Sequence, residues 1–243
     1  MNPIAFQIGN LPIRWYGIFY AIGFLFAYLI VPKLAKSRNI RKIDIQNLFI
    51  YLIPFSIIGA RLTYVLVNLN YYLKEPLEIF AIWNGGMAFH GGLIAAIILV
   101  LIYCKKKNIH FYDVADILVI PLALALALGR IGNFLNSEFY GPLTNLPWGA
   151  KFNGVEGKRH PTQIYESIKN LFIFFILISM HKIKEIKKGF IFWTFIFLYS
   201  FLRFFVEFLK ITERYIFGLT WGQIISFPLI IISGIILYKL KKK

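Results

Sequence analysis

The chain has 243 residues, 58% of them hydrophobic and 18% aromatic, with a mean hydropathy of +0.67 and only 16% charged residues. Soluble domains average roughly 45–50% apolar residues, so the charge here is too sparse to clothe a water-facing surface, and a soluble fold is set aside. The net charge of +16 sits in short basic clusters between apolar runs, not on a periodic face interleaved with aromatics, which argues against nucleic acid as a partner.

Seven apolar segments follow one another at 15–35, 46–67, 87–104, 113–135, 162–180, 189–209 and 221–238. Their lengths suit membrane-crossing helices, and none shows the shorter alternating pattern of barrel strands. The expectation is an all-α polytopic membrane protein, one integral domain over 1–243 with seven transmembrane helices. The first segment runs into PKLAKSRNIRK with no small-residue cleavage site, so it is expected to stay as a helix. Next comes 68–86, an amphipathic arm carrying NYYLKEPLEIFAIWNGG, whose aromatics suit a membrane interface. The single Cys104 ends the third segment and allows no intramolecular disulfide. Residues 137–161 are rich in Gly, Pro and Asn and read as a compact external loop. No internal repeat is visible, against the duplicated halves common in transporters.

Charge fixes the expected sidedness. Lys33, Lys36, Arg38, Arg41 and Lys42 follow the first segment, and Lys105, Lys106 and Lys107 follow the third. Lys182, Lys184, Lys187 and Lys188 follow the fifth, and Lys239, Lys241, Lys242 and Lys243 end the chain. With seven spans, all four clusters fall on one side. The opposite links carry Glu75, Glu78, Glu138, Glu156 and Glu213. Positive charge on the cytoplasmic side places the N-terminus out and the C-terminus in.

Ionisable side chains at membrane depth cost several kcal/mol, and this chain holds several at one level. Counted from the inner side at 1.5 Å per residue, Arg61, Arg130, Arg203 and Glu207 lie roughly 21–27 Å across a hydrocarbon layer of about 30 Å, and Asn133 stands one turn beyond Arg130. Counted from the outer side, Tyr16, His90, Glu166 and Asn170 meet them there. Tyr199, Arg203 and Glu207 form one helical stripe at i, i+4 and i+8. Gly129 and Gly132 bare the backbone beside Arg130 for a helix or a ligand to approach. Each residue has a plainer reading. Arg203 and Glu207 can form a structural bridge, Arg61 can snorkel toward headgroups, and His90 can be an ordinary helix-start histidine. Asp113 and Asp116 read as helix-start carboxylates beside a basic inner loop.

Three arginines at headgroup depth suit a phosphate-bearing ligand, because guanidinium forks bind phosphate bidentately and stay charged. One histidine nearby can exchange a proton near neutrality. The residues alone therefore describe a phospholipid site with a proton acceptor, able to bind, flip or react with its lipid. A transporter needs an inner counterpart to this polar level, and the inner halves of the spans offer none. A retinal-type receptor needs a lysine in the last span, and 221–238 has none. For an intramembrane serine protease, Ser56 and Ser226 lack a histidine one helical turn away.

Taken in order, RWYGIFYAIGF (14–24), GARLTYV (59–65), WNGGMAFHGGL (83–93), GRIGNFLNSEFYG (129–141), RHPTQIYE (159–166), LYSFLRFFVEF (198–208) and WGQIISFP (221–228) resemble the motifs of the bacterial prolipoprotein diacylglyceryl transferases. GRIGNFLNSEFYG resembles that family's signature throughout. The resemblance implies transfer of the diacylglyceryl group of phosphatidylglycerol to the thiol of a lipobox cysteine beside a prolipoprotein signal peptide. A thioether forms and glycerol phosphate leaves. It further implies Tyr16 and Asn133 as catalytic residues, with Glu138 and Gly141, supported by Tyr199 and Glu207, joining Asn133 in phosphatidylglycerol binding. The residues themselves offer Arg130 and Arg203 as catalytic groups for the lipid phosphate, with Arg61 beside them in lipid binding, and His90 as general base, an electrostatic or lipid-positioning role being its alternative. No cofactor or metal is expected, and the partners are the two substrates and membrane lipid. One departure stands out: Pro142–Lys158 is short for the family.

Overall fold

A computed structural model describes residues 4–9, 11–183, 185–213 and 215–242; Lys184 and Lys243 of the basic clusters lie outside them. A short antiparallel hairpin, β1 (Ile4–Ile8) and β2 (Leu11–Arg14), leads directly into α1 (Trp15–Ala35). There follow α2 (Lys42–Val67), the single turn α3 (Leu69–Tyr72), α4 (Phe89–Lys107), α5 (Phe111–Leu135), α6 (Thr162–His181), α7 (Phe190–Val206) and α8 (Trp221–Lys242). All but α3 are long and apolar enough to cross a membrane, seven in all. The hairpin is the element that hydropathy did not reveal. Its sequence signal is the Gly9-Asn10 pair between two short apolar runs, and Gly9 takes a positive φ of 57°.

The helices form two compact units, one running to Val31 and resuming at Ala115, the other spanning Pro32–Val114. In the second unit, α2 and α4 pack nearly backbone to backbone. A Cβ on Gly59 would lie 2.3 Å from that of Ala95 and 2.8 Å from the Gly91 carbonyl oxygen. The two glycines after His90 therefore serve helix contact, as small residues do inside membranes where no hydrophobic drive brings helices together. Segment 68–86 is not one amphipathic helix. It breaks into α3 and 3₁₀ turns at Pro76–Phe80 and Ile82–Asn84, because Pro76 cannot continue a helix begun before it. Leu73, Leu77, Phe80 and Trp83 point outward, each more than two-thirds exposed.

In the first unit, the first turns of α5 and α7 are joined by a buried carboxylate. Asp116 accepts hydrogen bonds from the backbone N–H groups of Gly189 (2.9 Å) and Phe192 (2.8 Å). It thus caps the start of another helix, which sequence spacing alone did not reveal. Four N–H groups at a helix start have no internal partner, and a carboxylate there also favours the helix dipole. The loop 137–161 has a small centre of its own. Buried Phe152 stacks on Tyr140 (centroids 5.3 Å) and meets Phe134 edge-on (5.6 Å), and the Arg159 guanidinium lies 5.4 Å over the Tyr140 ring.

Asp116→Ala is expected to destabilise the protein by about 2–3 kcal/mol, the scale of orphaning buried donors bonded to a charge. The check is a lowered melting temperature in detergent, with Asp116→Asn losing less.

Candidate functional site

The signature segment ends α5 and turns back on itself. Asn133 lies on the last turns of α5, and Glu138 follows it between two residues in the left-handed region, Ser137 (φ 59°) and Phe139 (φ 57°). Non-glycine residues avoid this region at a cost of order 1–3 kcal/mol, sustained only where surroundings hold them. Here the holding groups are visible. The Glu138 N–H donates to the Asn133 carbonyl (3.0 Å), the Thr162 hydroxyl to the Phe139 carbonyl (2.5 Å), and the Gln163 side-chain amide to the Glu138 carbonyl. The outcome is a fixed carboxylate. It accepts from the Asn133 amide at 3.0 Å and from the Asn136 amide at 3.4 Å. Glu138 thus aims Asn133, itself buried.

Gly141 is required by space. A Cβ there would lie 2.5 Å from the Leu209 carbonyl oxygen, 2.8 Å from the His160 Cβ and 2.9 Å from the Thr162 methyl. Gly132 lets α1 approach α5: its Cβ would stand 3.0 Å from the Tyr16 ring, and Tyr20 lies against Gly129. Of the two visitors foreseen for these bare glycines, the helix takes the place. Tyr16 donates its hydroxyl hydrogen to the Tyr20 oxygen at 2.9 Å and lies within electrostatic range of Glu138 and Arg130.

Arg130 and Arg203 reach one charge cluster. The Arg130 Nε lies 3.4 Å from the Glu166 carboxylate on α6. Glu166 is wholly buried and also meets the ammonium groups of Lys169 at 3.3 Å and Lys210 at 2.5 Å. Lys210 continues to Glu207 at 3.0 Å, and Glu207 stands 3.8 Å from the Arg203 Nε. Arg203 donates to the Tyr199 hydroxyl at 3.2 Å, and Lys169 lies 4.1 Å over the Tyr199 ring. The contacts close a ring: Glu166, Lys210, Glu207, Arg203, Tyr199, Lys169 and back to Glu166, with Arg130 joined at Glu166. The i, i+4 pairing of Arg203 with Glu207 exists, but as one link of this ring and not as an isolated bridge. Gly222 of α8 makes room for it, since a Cβ there would lie 2.5 Å from the Glu207 carboxyl group.

Lys169, Lys210 and Gly222 were not among the residues expected from sequence. The first two did carry a signal, because Glu166/Lys169 and Glu207/Lys210 are i, i+3 pairs. Beside the ring, α6 and α7 border an apolar groove of roughly 450 Å³ lined by Tyr165, Ile168, Lys169, Phe172, Leu202, Phe205 and Val206. Lys169 thus belongs to both the groove wall and the ring.

His90 and Arg61 belong to the second unit. His90 is exposed on the first turn of α4, its ring edge-on to Phe89 at 5.8 Å. Arg61 is buried. Its Nε donates to Ile79 O at 2.9 Å, Nη1 to Gly85 O at 2.7 Å and Gly86 O at 3.0 Å, and Nη2 to Glu78 O at 2.5 Å and Ala81 O at 3.5 Å. A guanidinium has five N–H donors, and all five meet backbone carbonyls. Its partners in this structure therefore all lie within its own unit. Arg61 holds the chain that leads to His90, meeting carbonyls of a stretch that forms only short 3₁₀ turns and so leaves backbone acceptors to be shared. Among the described residues no group of three or more His, Cys, Asp or Glu side chains could hold a metal ion.

The family model described as "Prolipoprotein diacylglyceryl transferase" matches residues 3–239. Curated proteins named phosphatidylglycerol–prolipoprotein diacylglyceryl transferase align over nearly all of the chain. That of Finegoldia magna is 41% identical, over 100% of this chain and 97% of its own. That of Clostridioides difficile is 42% identical over 97% and 94%, and that of Geobacter sulfurreducens 39% identical over 96% and 93%. A match of this length and identity, together with the arginine-bearing motifs and seven apolar helices, settles the relationship: the chain belongs to the prolipoprotein diacylglyceryl transferase family.

Proposed function

We infer that this protein transfers the diacylglyceryl group of phosphatidylglycerol to the cysteine thiol of a prolipoprotein. Sulfur attacks the glyceryl carbon bound to the phosphate oxygen. The carbon–sulfur bond forms as the carbon–oxygen bond breaks, and the electron pair stays with the phosphate, which leaves as glycerol phosphate. The observation that carries this reading is the ring around Glu166 and Glu207, where cations outnumber carboxylates beside an apolar groove. An anionic headgroup suits the ring, and an acyl chain suits the groove.

In this reading each residue has a role. Arg130 and Arg203 stabilise charge that grows on the leaving phosphate, as preorganised donors do in a low-dielectric site. Glu207 and Tyr199 orient Arg203. Asn133, aimed by Glu138, supplies a neutral donor, and Tyr16 lies within electrostatic range of Glu138 and Arg130. A free cysteine thiol has a pKa near 8.5, so it needs a base at neutral pH, and His90 is that base in this reading. The substrate peptide presents a lipobox cysteine after its signal sequence. The chemistry takes place at the outer leaflet of the bacterial inner membrane, with the N-terminus outside and the basic clusters inside.

The direct test is thioether formation on a lipobox peptide from labelled phosphatidylglycerol by the purified protein; no product from the wild type would refute the reading. Arg130→Ala and Arg203→Ala are each expected to lower kcat/KM at least ~100-fold, the scale of losing a preorganised donor. Lysine at either position should recover little, because it lacks the planar fork. His90→Ala should lose ~10²–10⁴-fold at pH 7 and regain part of that as pH rises through the thiol pKa near 8.5. Full activity of that variant at pH 7 would remove the base role alone. Gly141→Ala should abolish most transfer, because the added methyl meets first the Leu209 carbonyl oxygen, a backbone atom that cannot swing aside.

Sidedness has its own check. In a Cys104→Ser background, Lys106→Cys should escape an impermeant thiol reagent in intact cells and react after permeabilisation. Labelling from outside would invert the topology.

A further inference from the structure

The proposed reaction changes the charge of the phosphate, and the ring holds one more cation than the entering lipid requires. Phosphatidylglycerol presents a phosphodiester with a single negative charge. Glycerol phosphate leaves as a monoester, whose second pKa near 6 gives it close to two negative charges at neutral pH. The ring carries four cations, Arg130, Lys169, Arg203 and Lys210, against two carboxylates, Glu166 and Glu207. Its formal charge is therefore +2. Glu138 stands outside the ring, with its carboxylate held by the Asn133 and Asn136 amides.

Lys169 decides that sum. It is not a surface lysine: its side chain is 4% exposed, pinned between the Glu166 carboxylate at 3.3 Å and the Tyr199 ring at 4.1 Å. Burying an ammonium costs several kcal/mol unless opposite charge and good geometry offset it. Glu166 already has Arg130 and Lys210 as partners, so it needs no third cation for neutrality. A leucine or methionine would extend the apolar groove lined by Ile168 and Phe172 without that cost. In its place is a charge that reaches Arg203 through Tyr199 and Arg130 through Glu166.

We propose that Lys169 is a positioning and specificity residue for the leaving group: it brings the ring to a net charge of +2, matched to the glycerol phosphate dianion and not to the phosphodiester that enters. Interactions stronger in the transition state than in the ground state raise kcat, whereas equal binding of both changes only KM. As the carbon–oxygen bond breaks, the second negative charge develops on the phosphate oxygen, and the excess positive charge is already in place to meet it. The effect passes through the two arginines to which the proposed function assigns the phosphate, while Lys169 sets their field and holds Glu166 and Tyr199 in position.

This proposal rests on the transferase reading, and its test separates the two. Wild-type protein, Lys169→Met and Lys169→Arg are compared for transfer from phosphatidylglycerol to a lipobox peptide, with inhibition measured by glycerol phosphate and by its methyl diester, a monoanion. The wild type should be inhibited at least ~10-fold more strongly by the dianion than by the diester, a preference worth about 1.4 kcal/mol. Lys169→Met should lose that preference and at least ~10-fold in kcat, with KM for the lipid changed less than ~3-fold, and Lys169→Arg should restore most of both. Absence of transfer by the wild type would remove the transferase reading and this proposal with it. An active wild type that binds dianion and diester equally would overturn the proposal alone, whether or not the methionine variant folds. So would a methionine variant with unchanged kcat and preference, or one whose loss falls on KM.

Discussion

The interaction on which the site depends is the buried carboxylate of Glu166. Three cations from three stretches of chain converge on it: Arg130 from α5, Lys169 one turn along α6, and Lys210 just beyond α7. Without it, like charges from separate helices would repel across a medium of low dielectric, where Coulomb energies are large. With it, each cation has a partner, and α5, α6 and the end of α7 are tied at one level. Glu207 repeats the device for Lys210 and Arg203, and Gly222 leaves it the room. Removing one partner from such a set is far more damaging than replacing the whole set by apolar groups. The carboxylates therefore count as much as the arginines they hold.

The level of the site was legible in the sequence because a helix has a fixed rise. Arg130, Arg203 and Glu207 could be placed at one depth from residue counts alone, and the i, i+4 stripe from Tyr199 to Glu207 is present, with the Tyr199 hydroxyl and Glu207 both reaching Arg203. What depth cannot tell is the direction in which a side chain spends its donors. Residue counts put Arg61 at the same depth, yet its partners are carbonyls 17 to 25 residues further along the chain. That meeting is set by the way Pro76 breaks the segment after α2, which hydropathy does not encode. Asp116 was hidden for the same reason, since its partners lie 73 and 76 residues away.

Lys169 and Lys210 illustrate a different blindness. Lys210 follows the last apolar residues of its span, and Lys169 lies in the polar opening of α6, so each has the sequence setting of a lysine that snorkels to the interface. Tertiary packing overrides that default. The counter-charges at i−3 in both cases, Glu166 and Glu207, were the local sign that these two turn inward. The hairpin before α1 escaped because its strands are four and five residues long, too short to stand out against seven apolar spans.

The backbone around the signature shows why a polar segment can follow a long apolar run at all. Non-helical backbone at membrane depth is tolerated only where its polar groups find partners within the protein or line a cavity. Residues 137–141 meet that condition with their own fittings. Ser137 and Phe139 take left-handed conformations, carbonyls of Glu138 and Phe139 are met by Gln163 and Thr162, and the Gly141 N–H donates to the His160 carbonyl at 2.8 Å. The same contacts bind the signature to Thr162 and Gln163 at the start of α6, four and three residues before Glu166. The strained turn that aims Asn133 and the carboxylate that gathers the cations are thus fixed to one helix end, so a disturbance of either is felt by the other. Gly141 sits at that junction with no space for a side chain, and this, more than any chemistry of its own, is what makes it part of the site.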